Sequence, residues 1–198
     1  MTALTSKENE ALLKLFKDFN NDYNANSISK QIGTTPRGAL KILKNLHKQG
    51  LLTAKQMGKA TFYKVNLKDY YAARIIETLL INEARENASR WLSEFEDLFK
   101  DLEIAIIFGS IIRQPKTAND IDLLLIFRQK NIKNVKHFIS EKNKILLKPI
   151  HPIMQSRQDI MNNLNKKDPV ILNALRRGYV LHGYDKLIGV IKCVTSFQ

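Results

Sequence analysis

The chain has 198 residues, 44% hydrophobic and 26% charged, which fits an ordinary globular protein of one large or two small domains. No apolar run reaches the ~20 residues that span a bilayer as a helix, and Cys193 is the only cysteine, so no membrane-spanning helix and no disulfide within the chain is expected. A net charge of +13 and a pI near 9.8 favour a polyanionic partner, nucleic acid before an anionic membrane surface. The stretch MTALTSKENE lacks a basic region followed by an apolar one, so the expected location is cytoplasmic.

Taken in chain order, Lys7–Phe19 carries Leu12, Leu15, Phe16 and Phe19 at helical spacing, with Thr5 or Ser6 as a cap. The Asn-rich run Asn20–Asn26 reads as a loop, and a short helix follows at about Ser27–Ile32. Gly33-Thr34-Thr35 makes a turn. Pro36 suits the first position of the next helix, with Thr35 as its cap, and Gly50 stops that helix. Leu40, Leu43 and Leu46 form the expected buried stripe. Arg37, Lys41, Lys44 and Lys48 recur at i, i+4, i+7 and i+11, so they line one side of the helix. Leu51–Lys55 and Thr61–Asn66 read as two strands around a tip carrying Met57-Gly58-Lys59. Residues 1–70 hold 12 Lys+Arg against 5 Asp+Glu.

Two helices joined by a Gly-containing turn, a basic stripe on the second, and a basic hairpin after K-N-L-H-K-Q-G-L-L resemble the winged helix-turn-helix of prokaryotic transcription regulators. The resemblance covers about residues 5–68 and implies double-stranded DNA as partner. Thr35, Arg37 and Lys41 at the helix start would then enter the major groove. Lys44, Lys48, Lys55 and Lys59 would contact phosphates.

The charge balance reverses in residues 71–100, with 4 Lys+Arg against 6 Asp+Glu. Ile76, Leu79, Leu80, Ala84, Ala88, Trp91, Leu92, Phe95 and Phe99 recur at helical spacing, as one long helix or two separated near Asn87. The first half suits pairing across a homodimer axis; the second suits packing on a following sheet.

Ile104–Phe127 reads IAIIFGSIIRQPKTANDIDLLLIF. An apolar run of strand length ends in Gly109-Ser110. A polar turn, Gln114–Asn119, follows. Asp120 and Asp122 then bracket Ile121 ahead of a second apolar run. Residues two apart on a strand share a face. Two carboxylates so placed repel unless a cation lies between them, and oxygen ligands suit Mg²⁺. Gly109 permits close approach of a ligand, and the turn after it offers N–H groups to a phosphate.

Gly109-Ser110, the spacer and Asp120-Ile121-Asp122 resemble the signature of the polymerase-β-type nucleotidyltransferase superfamily, most closely its minimal members, over about Ala88 to the C-terminus. The resemblance implies Mg²⁺ on Asp120 and Asp122 and a nucleoside triphosphate on Gly109 and Ser110. It also implies a third carboxylate from a third strand. The expected strand, Lys144–Met154, contains Pro149 and Pro152 and should lie at an edge. It contains no Asp or Glu. His151 stands about where the acid belongs, with Lys148 nearby. A histidine can take a proton but is a poorer Mg²⁺ ligand. Asp159 lies too far along, on a helix capped by Ser156. Asp168-Pro169 starts another helix, Gly178–Gly183 a short strand and turn, and Asp185–Val194 a last helix carrying Cys193, which is expected to be buried.

The expected fold is α+β. A winged helix-turn-helix occupies residues 1–70, a helical connector 71–100, and a nucleotidyltransferase-like α/β domain with a small mixed sheet 101–198. The expected function is a DNA-binding transcription regulator whose second domain senses nucleotide, serves as a structural module, or is a weak transferase. The alternative is a Mg²⁺-dependent nucleotidyltransferase acting as an antitoxin. It would modify a partner toxin and regulate its own operon. No zinc-spaced cluster is present, since His47, His137, His151 and His182 are scattered.

Overall fold

The structure, a computed structural model, describes residues 4–196. The chain is α+β and divides into two compact units, residues 1–79 and 80–198.

In the first unit, Thr5 caps helix α1 (Ser6–Lys17). Its hydroxyl accepts the Glu8 N–H, and the Glu8 carboxylate accepts the Thr5 N–H at 2.8 Å. Helix α2 (Ala25–Gln31) starts two residues earlier than expected, because the Asn24 side chain caps it in the same reciprocal way with Ser27. Gly33, at φ +59°, turns the chain toward α3 (Pro36–Lys48), which Thr35 caps.

On α3 the buried residues are Ala39, Leu43 and Leu46. Leu40 does not belong to that stripe and is 36% exposed. At roughly 100° per residue it lies about 60° beyond Leu43, on the side away from Ala39 and Leu46 and next to the basic face. Strands β1 (Leu52–Met57) and β2 (Ala60–Val65) pair antiparallel, with Met57 opposite Ala60 across a Gly58-Lys59 turn. Gly58 takes φ +60° there, the conformation such two-residue turns require. The Tyr63 N–H donates to the Tyr23 carbonyl at 2.8 Å, joining β2 to the segment before α2. Leu12, Leu15, Phe16, Ile28, Ile32, Leu43, Leu46 and Tyr63 are buried in this unit.

Helix α4 (Tyr70–Asn87) contains the boundary between the units. It ends before α5 (Ser89–Glu94), so the connector is two helices. A 3-10 segment at Glu96–Asp101 leads into β3 (Ile104–Phe108). There follow α6 (Ser110–Arg113), β4 (Ile121–Ile126), α7 (Ile132–Ile145), β5 (Ile150–Gln155), α8 (Arg157–Asn165), α9 (Pro169–Arg177), β6 (Tyr179–His182) and α10 (Tyr184–Ser196). The sheet order is β5-β4-β3-β6; β4 and β5 are parallel and the other pairs antiparallel.

One sheet face, with Ala105, Ile107, Ile121, Leu123, Leu125 and Ile150, shares a core with Ala88, Trp91, Phe95, Leu98, Val135 and Ile139. This places the second half of the connector on the sheet, as its spacing predicts. Helices α8, α9 and α10 lie on the strands as well, α8 on β5 and the other two on β3. The apolar run Lys144–Met154 is not one strand. α7 continues to Ile145, the strand begins at Ile150, and Ile145 and Leu147 are 73% and 100% exposed. Strand β5 is an edge strand, as Pro152 suggests. Cys193 is half-buried rather than buried. Among the described residues no helix is long and apolar enough to cross a membrane.

Candidate metal centre and basic helix face

The sheet register assembles the first site. Asp122 pairs with Phe108 on β3 and with His151 on the parallel strand β5. Gly109 therefore follows β3 directly beside the Asp122 carboxylate. It has φ +81°, and a Cβ at that position would lie 1.9 Å from Asp122 Oδ2. Two separate constraints, backbone conformation and space, thus require glycine there. Asp120 immediately precedes β4. His151 Nδ1 lies 3.5 Å from Asp122 Oδ1, and the two side chains are 72% and 23% exposed. One donor atom from each of Asp120, Asp122 and His151 falls within 4.8 Å of the others, so the three could hold a metal ion.

Electrostatics point the same way. Burial, then the Asp120 charge, raises the Asp122 carboxyl above its ordinary 3.8, while His151 opposes the shift. A cation between the carboxylates would relieve the repulsion and replace the lost hydration.

The residues around the triad fix the loop that carries it. Ser110 opens α6, and its carbonyl accepts the Gln114 N–H at 2.8 Å. Arg113 Nε donates to the Gly109 carbonyl at 3.3 Å. Lys148 Nζ donates to the carbonyls of Pro115, at 2.9 Å, and Ala118. Lys148 is thus an anchor for the turn ahead of Asp120. Asn143 Oδ1 accepts the Ile150 N–H at 2.8 Å and fixes the start of β5. Sequence reasoning assigned neither anchor, because a bond to a main-chain group carries no signature in the residue it serves.

The second site is the outer face of α3. Arg37, Lys41, Lys44 and Lys48 are exposed along it, and Lys55 and Lys59 are exposed on the hairpin. Thr35 is exposed at the helix start, and its Oγ1 accepts the Gly38 N–H at 3.1 Å. Among the described residues, none of the six cations forms an ion pair. Lys7, Lys14 and Lys64 of the same unit do so, with Glu10, Asp18 and Asp22. Unneutralised cations gathered on one helix and the adjoining hairpin form a surface suited to a polyanion. No protein-family model, curated protein or solved structure matches the chain.

Proposed function

We propose that the first unit is a winged helix that binds double-stranded DNA, and that the protein is a cytoplasmic transcription regulator. The observation that carries this reading is the set of six exposed, unpaired cations on α3 and the β1–β2 hairpin. The basic stripe from Arg37 to Lys48 is about 16 Å long at 1.5 Å per residue. That exceeds the roughly 12 Å width of a B-DNA major groove, so the Lys48 end can reach phosphates while the Arg37 end lies in the groove. Thr35, Arg37 and Lys41 meet base edges; Lys44, Lys48, Lys55 and Lys59 hold the backbone. A homodimer would read a two-fold site. The second unit, with a nucleotidyltransferase-like arrangement around Gly109, Ser110, Asp120 and Asp122, senses a nucleotide or retains the fold without the reaction.

The test is binding of the full chain to duplexes selected from a random pool. The Arg37→Ala/Lys41→Ala double variant should lose discrimination between selected and unselected duplexes. Full retention of operator affinity by that variant refutes the docking.

A second reading is favoured by the convergence of Asp120 and Asp122 beside a glycine that only glycine can fill. In it the unit is a Mg²⁺-dependent nucleotidyltransferase, an antitoxin that modifies a partner toxin. The triphosphate would lie along Gly109 and Ser110. Mg²⁺ on the carboxylates would neutralise the phosphate oxygens, and His151 would accept the proton of the hydroxyl that attacks the α-phosphorus as pyrophosphate leaves. Labelled ATP, Mg²⁺ and cell extract should then yield a labelled protein. Equal labelling by Asp120→Asn removes this reading.

A further inference from the structure

We propose that the Asp120–Asp122–His151 centre selects a borderline transition-metal dication, of the Zn²⁺ and Co²⁺ class, over Mg²⁺. The inference rests on these three residues forming a metal centre; it requires neither the transfer reaction nor DNA binding.

The donor set comes first. Mg²⁺ favours all-oxygen surroundings with several retained waters, whereas imidazole nitrogen suits the later first-row dications. Two carboxylates and one imidazole make a mixed oxygen and nitrogen set.

Geometry adds a second argument. His151 Nδ1 and Asp122 Oδ1 are 3.5 Å apart, too far for a strong hydrogen bond. Two ligands about 2.0–2.1 Å from a tetrahedral Zn²⁺ stand about 3.4 Å apart. Neighbouring ligands of an octahedral Mg²⁺ at about 2.1 Å stand nearer 3.0 Å apart. The observed separation of this pair lies nearer the first value, and the three donor atoms lie within 4.8 Å of one another.

Register is the third. His151 and Asp122 are direct partners on parallel strands, so the sheet and not a mobile loop holds their backbones side by side. The 72% exposure of His151 leaves its side of the centre open to solvent. Three protein ligands leave one or more positions for an outside oxygen, such as water or a phosphate oxygen.

Co²⁺ is the probe, because its visible absorption reports ligand type and geometry. The full chain, without nucleotide or DNA, should give a Co²⁺ band that Zn²⁺ displaces and that millimolar Mg²⁺ leaves in place. His151→Ala should lower Co²⁺ and Zn²⁺ affinity by about tenfold or more and change Mg²⁺ affinity little. His151→Asp should shift the preference toward Mg²⁺. His151 is largely exposed, so His151→Ala should keep the parent's melting temperature without metal. Asp120→Asn excludes binding by the remaining histidines, and should also weaken the band. Loss of the band in Asp120→Asn with an unchanged band in His151→Ala would overturn the proposed selectivity while leaving a carboxylate centre. An unchanged band in both variants, or no metal bound at all, would overturn the centre itself.

Discussion

The dependence of DNA binding on salt can be worked out from the four lysines assigned to phosphates. Each phosphate neutralised releases counterions and contributes about −0.9 to the slope of log K against log salt. Lys44, Lys48, Lys55 and Lys59 therefore give about −3.6 for one protomer and about −7 for a dimer on a two-fold site. For one protomer, raising salt from 50 to 200 mM should weaken binding about 150-fold. The Lys44→Ala/Lys48→Ala double variant should halve the slope to about −1.8, and the same salt change should then cost about 12-fold. These side chains are exposed and unpaired, so folding should be unaffected. Fluorescence anisotropy across a salt series, on one duplex, measures both slopes. A wild-type slope near zero, or one that the double variant leaves unchanged, would refute the assignment of the stripe to phosphates.

Other predictions concern the two folded units. Gly109→Ala should destabilise the second unit by about 1–3 kcal/mol, because the residue takes φ +81° and its Cβ would collide with Asp122; urea unfolding measures it. Lys148→Met removes the bonds to the Pro115 and Ala118 carbonyls and should cost about 1 kcal/mol. It should also speed amide exchange at residues 114–119, and exchange unchanged from the parent's would count against the anchor. Glu8 gives a pH dependence. Burial raises its carboxyl, but the Thr5 N–H and the Asn45 and Thr5 side chains outweigh that and hold it below its ordinary 4.5. Its contribution is therefore present above about pH 4.5 and is lost as pH falls through the lower folded value. Glu8→Gln should flatten the acid limb of the first unit's stability, measured by urea melts between pH 3 and 6.

Local features were legible in the sequence because the residues that make them lie within a few positions of one another. Thr5, Thr35, Ser156 and Asp168 cap helices where the spacing predicts, and the apolar stretches on either side of Gly109 and Asp122 are strands. His151 was also legible as a strand residue. Its pairing opposite Asp122 was not, since parallel register depends on the connecting helix and not on neighbouring residues. Leu40, Ile145 and Leu147 show the other limit. An apolar residue does not announce whether it loses contact with water, and these three keep much of theirs.

The placement of His151 on an edge strand has a mechanical side. Among the described residues, strand β5 has one strand neighbour in the sheet, β4. An ion joining His151 to Asp122 would fasten the start of that strand to the interior of the sheet. It would close the excursion through α7 into a ring and reduce the freedom of the peeled-off chain. Metal occupancy would then be registered as resistance of the sheet's outer edge to fraying. Such a signal would be carried by the backbone amides of β5, even without any change in the shape of the fold.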